Sequence, residues 1–216
     1  MKMTFETDIY SIIYNEINQN LVETIHSALS ENFQRIMDFW NIKKLNSHVN
    51  IHIYPTLDEW ITFFEGTGQK YADYVIGCAD GSEIHLLAYD EYKKTNMHKN
   101  DSLEDFQKVI IHEFVHVCNN QICPPNSFIM CEGLATYLAN QKYNENIKID
   151  YPKDDIFNFN TFCTLTNDTY SFAHKIVTIL AKTASKEKLI LTLELEILRN
   201  AANHSSRMYL VAVAYA

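Results

Sequence analysis

Glycine and proline are scarce: five and four in 216 residues. So few breakers exclude a collagen-like or low-complexity chain and predict long regular elements. Positive charge is also short, with 18 Lys and Arg against 27 Asp and Glu. Phosphate binding needs a basic face, and the isolated pairs Lys43-Lys44 and Lys93-Lys94 make no stripe, so no nucleic-acid partner is expected. No run of eighteen apolar residues occurs, which excludes an ordinary membrane-spanning helix. Residues 1–10 carry Glu6 and Asp8 instead of an apolar core and do not read as a signal peptide. The five cysteines, Cys78, Cys118, Cys123, Cys131 and Cys163, are odd in number and form no C-x-x-C pair. A disulfide framework is therefore not expected, and small buried thiols are. The expectation is a cytoplasmic protein without membrane contact.

What is present suits a globular chain: 47% hydrophobic and 12% aromatic residues. A chain of this length buries roughly 70% of the surface its unfolded form exposes, enough for one domain over 1–216. Apolar residues from Ile12 and Ile13 through Ile25, Leu29 and Ile36 to Trp40 recur at steps of three and four and predict a helix over 11–40. Val49 to Tyr54 alternates and stops at Pro55, as a strand does. Thr56 and Glu59 form a capping box opening a helix through Phe64. Strands are expected at 74–78 and 83–88 around the Asp80-Gly81 turn signal, and a polar loop at 89–101. Ser102 and Asp105 resemble another capping box, opening a helix that runs to about Gln121, where Pro124-Pro125 stops it. Further helices are expected at 127–141, 169–182 and 186–202. The apolar segment 208–216 reads as a buried strand or helix end.

His112-Glu113-Phe114-Val115-His116 lies within the helix opened by Ser102. Residues four apart share a helix face, so both imidazoles can reach one ion, and Glu113 projects beside them, placed to accept a proton from a water on that ion. Polar groups among Ile110, Ile111, Phe114 and Val115 need a partner or a metal. In the next helix Cys131-Glu132-Gly133-Leu134-Ala135-Thr136-Tyr137 sets one carboxylate in an apolar run, sixteen residues beyond His116. A lone buried charge is costly unless paired or ligating.

The H-E-x-x-H helix followed by a helix carrying E-G-x-A-x-Y resembles the gluzincin peptidases, in particular their small stand-alone members, the minigluzincins and peptidase-MA-like domains. The resemblance implies an α+β, zincin-like fold: a small mixed β-sheet with an edge strand over the active-site helix, then a helical part. Its pieces would be a helix and sheet over about 11–90, active-site helices over about 102–141, and the helical part over about 165–216. It implies zinc held by His112, His116 and Glu132, with Glu113 as general base and a peptide or protein as substrate. Residues 77–87 resemble the segment leading to the family's edge strand, which pairs with an extended substrate. Tyr170-Ser171-Phe172-Ala173-His174-Lys175-Ile176-Val177 resembles the family's Tyr-x-x-Ala-x-x-x-Val helix, whose tyrosine donates to the oxyanion. His174 is an alternative donor and His85 a third.

Two departures matter. Thr136 stands where the thermolysin relatives have an aspartate that orients a ligand. The glycine-x-methionine-glutamate-asparagine motif that holds a substrate's free amine in the aminopeptidases is absent, so an endopeptidase, or a peptidase of open end preference, is expected. Two alternatives stay open: a zinc-stabilised binding module without catalysis, and a latent peptidase whose segment 208–216 occupies the cleft. Oligomeric state is not legible.

Overall fold

The computed structural model describes residues 1–122, 128–144, 146–147, 169–183 and 211–214. The chain divides into two compact units: Met1–Gln121 with Leu210–Ala216, and Ile122–Tyr209. The coarse expectation holds, since helices accompany a small mixed sheet. The expected helix at 186–202, residues 148–168, and Cys123, Pro124 and Pro125 lie outside the described residues, and Cys163 with them.

In the first unit, six strands line up in the order β1 (Lys2–Glu6), β2 (Tyr10–Asn15), β3 (Val49–Tyr54), β5 (Glu83–Leu87), β4 (Val75–Asp80) and β6 (Val211–Ala214). β2, β3 and β5 run parallel, while β1, β4 and β6 pair antiparallel with their neighbours. The helix expected over 11–40 begins only at Gln19, as α1 (Gln19–Trp40). Its first residues belong instead to a hairpin. Thr7 Oγ1 accepts from the Ile9 and Tyr10 amides in the turn, and adjacent Ile12 and Ile13 mimic helical spacing because β2 packs on both faces.

Local signals account for the rest of this unit. Thr56 accepts from the Glu59 amide and opens α2 (Leu57–Gly66). Gly81, at φ +59°, turns β4 into β5, as a two-residue hairpin requires. The polar stretch 89–101 is not all loop, for a short helix α3 (Tyr89–Tyr92) opens it. Helix α4 (Leu103–Ile122) starts at a reciprocal box: the Ser102 amide donates to Asp105 Oδ2 at 2.8 Å, and the Asp105 amide to Ser102 Oγ at 3.2 Å. At its far end the side chain of Asn46 donates to the Gln121 carbonyl, one of the acceptors a helix terminus leaves over.

Two contacts fix the start of β4. His98, fully buried, meets Asp101 Oδ2 through Nδ1 at 2.9 Å and the Tyr74 carbonyl through Nε2 at 3.2 Å, joining the residues just ahead of α4 and β4. Trp60 of α2 donates to the Val75 carbonyl at 2.8 Å. One sheet face, with Ile12, Ile51, Ile84 and Leu86, is wholly buried. The other carries a half-buried polar row: His52 pairs with Glu83 at 2.6 Å, Asn50 donates to Glu83, and His85 is sandwiched between His52 and Phe63 with ring centroids 4.9 and 4.2 Å away.

In the second unit α5 (Phe128–Leu138) and α6 (Thr169–Thr183) pack closely. Gly133 permits this: a Cβ there would lie 2.5 Å from the Ala173 carbonyl oxygen. His174 Nδ1 meets Thr136 Oγ1 at 3.2 Å, and that hydroxyl donates to the Gly133 carbonyl, so the imidazole is the donor between the helices.

Two predictions follow from this packing. Gly133→Ala collides with backbone that has no rotamer to yield, so it should cost about 2 kcal/mol or more, read as a lower midpoint in urea; an unchanged midpoint contradicts the contact. Burial, reinforced by the His52 charge and partly opposed by Glu83, pushes the His85 pKa down from 6.5 to about 4. The unfolded chain therefore takes up this proton first, and stability due to neutral His85 falls as pH drops from about 6.5 towards 4. Urea midpoints at pH 7.5 and 4.5 should converge more in His85→Phe than in the unaltered chain; equal pH dependence contradicts the assignment.

Candidate metal centre

α4 carries His112 and His116 one turn apart, and both imidazoles turn the same atom inward: the two Nε2 lie 2.9 Å apart. Their exposures are 0% and 2%, so neither is a solvated surface histidine. Glu113 between them and Glu132 on α5 are 0% exposed. His112, His116 and Glu132 form the one group of three metal-capable side chains found among the described residues, with one ligand atom from each lying within 4.8 Å of the others.

The donor chemistry fits a divalent cation. Two imidazole nitrogens and a carboxylate oxygen are the ligand types zinc takes at about 2.0–2.2 Å, and three protein ligands leave a fourth position open. Burial, with the Glu113 charge adding to it, holds the Cys78 thiol well above its ordinary range. Burial pushes Cys118 up to about 12. Both are protonated at neutral pH in the metal-free chain. Cys78, Cys118 and Cys131 are all buried, and none of the three is in a disulfide.

The other expected site residues fall as follows. Tyr170 is 8% exposed near the start of α6. His174, one turn on, gives its Nδ1 to Thr136 and lies 5.3 Å from the Tyr143 ring. Thr136 is thereby occupied by Gly133 and His174. His85 does not serve the α4 side of the sheet at all, because its side chain stacks on Phe63 of α2, whereas its neighbour Leu86 shares a face with Gly77.

One residue without an assigned role proves close to the centre. A Cβ on Gly77 of β4 would lie 2.9 Å from Glu113 Oε1, 3.1 Å from Val109 Cγ1 and 3.3 Å from Glu113 Cγ. The sequence signal that finds it is a glycine inside a buried strand, away from any turn. The expectation of a free edge strand at 77–87 needs correction. β5 is internal, and β4, the strand against α4, has its outer side taken by β6, with Val213 opposite Gly77.

No protein-family model matches the chain, and no curated protein matches its sequence.

Proposed function

We propose that this chain is a zinc-dependent peptidase of the gluzincin type, with a zincin-like fold, in which His112, His116 and Glu132 hold the ion and Glu113 is the general base. The observation that carries the reading is the convergence of three buried ligand atoms within 4.8 Å, with a second buried carboxylate one residue along α4 from the first of them. Zinc in such a site supplies a Lewis acid that polarises a carbonyl and makes water acidic enough to react near neutral pH.

The chain's own groups do the remaining work. Glu113 takes the proton of the attacking water and returns it to the leaving amine. Its burial keeps the carboxylate at one place and out of bulk solvent. Tyr170 donates to the developing oxyanion, as a neutral phenol can. The engagement of His174 with Thr136 favours Tyr170 over His174 as that donor. The substrate is an extended peptide, cut by an endopeptidase or a peptidase of open end preference.

A second reading concerns the state of this enzyme. β6 lies antiparallel along β4, the strand that touches Glu113. That is how an added peptide strand would pair, by main-chain bonds with little sequence choice. The segment 208–216 then holds the peptidase latent.

Metal analysis of the purified protein is expected to find one zinc per chain. Glu113→Gln keeps that zinc and hydrolyses unfolded casein about 100-fold more slowly or worse, and Tyr170→Phe loses about as much with zinc retained. Zinc well below one per chain, or full activity in Glu113→Gln, ends the peptidase reading. Removing residues 208–216 raises casein hydrolysis if the segment is inhibitory; an unchanged rate, or a chain that no longer folds, ends the latent reading.

A further inference from the structure

We propose that Gly77 is a positioning residue for Glu113: the absence of a side chain at 77 leaves the place against β4 that the carboxylate occupies. The catalytic consequence rests on the peptidase reading; the packing claim stands without it.

Three of the five glycines, Gly66, Gly68 and Gly81, have open space where a Cβ would go, and the last two sit at positive φ. Their glycines answer to solvent and backbone. Gly77 answers to neither. It lies inside β4, in a run from Val75 to Ala79 that is buried throughout, and its φ is not positive. A glycine there forgoes packing and strand propensity. What it gains is room, and Glu113 fills it.

Which atoms would meet a new methyl decides the outcome of a substitution. At Gly133 they include a backbone carbonyl, which has nowhere to go. At Gly77 they are side-chain atoms: the end of Glu113 at 2.9 Å and a methyl of Val109 at 3.1 Å. β4 is not free to retreat, because His98 and Trp60 tie its start to the approach of α4 and to α2. The group that yields is the Glu113 carboxylate. A reacting group misplaced by about 1 Å costs about 100-fold in rate.

A double-mutant cycle in thermal unfolding of the metal-free protein tests the packing directly, using Gly77→Ala, Glu113→Ala and both together. The Gly77→Ala substitution should lower the thermal midpoint by about 3 to 6 °C in the unaltered chain and by less than half of that beside Glu113→Ala. Equal losses in the two backgrounds overturn the proposal. If Gly77→Ala alone fails to fold, folding of the double variant supports it and failure of both overturns it. With zinc-loaded protein and unfolded casein, Gly77→Ala should keep its zinc and its KM while kcat falls about 10- to 100-fold. An unchanged kcat overturns the positioning role. Absence of zinc or of hydrolysis in the unaltered chain counts against the peptidase reading alone, and the cycle still decides Gly77.

Discussion

Burial of ionisable groups is the constraint on which this structure turns. Two imidazoles and a carboxylate on α4, and a second carboxylate on α5, stand at 0–2% exposure. Each would lose far more solvation than a surface group, and none could persist there without partners. A divalent cation would satisfy three of them at once: it would take neutral imidazole nitrogens and a carboxylate oxygen and supply the charge that a buried anion lacks. Both Nε2 atoms, 2.9 Å apart, stand where one ion could take them together.

The fold of the first unit serves the same end by fixing one strand against one helix. α4 is capped by its own Ser102–Asp105 box and held near Gln121 by Asn46. β4 is tied by Trp60 and by the His98 bridge. Between these fixed points a Cβ at position 77 would press on the Glu113 side chain, 2.9 Å from its Oε1. The outer side of β4 is then paired with β6, so the sheet presents no bare main-chain edge beside Glu113.

Much of this was legible in the chain because the signals were local. Val49–Tyr54 alternates, Thr56 and Ser102 stand three residues ahead of an acid, and the spacing of His112 and His116 is that of one helical turn. The N-terminal hairpin was not legible. Ile12 and Ile13 satisfy a helical stripe as well as a doubly covered strand, and only the pairing of Tyr10–Asn15 with both neighbours decides between them. α3 hides in a polar stretch because Tyr89 and Tyr92, whose rings meet Phe106, flank the acids Asp90 and Glu91 in a helix of one turn. Gly77 escapes for another reason. A glycine inside a strand marks a close approach, but the group that approaches is Glu113, thirty-six positions away in the chain, and no local rule names it.

The central claim is that two imidazoles and one carboxylate share a single ion. X-ray absorption at the zinc edge on the metal-loaded protein measures this most directly. The account predicts a first shell of nitrogen and oxygen only, at about 2.0–2.2 Å, with the outer-shell scattering of two imidazole rings. A zinc–sulfur distance of about 2.3 Å, or a spectrum of fully hydrated zinc, would contradict it.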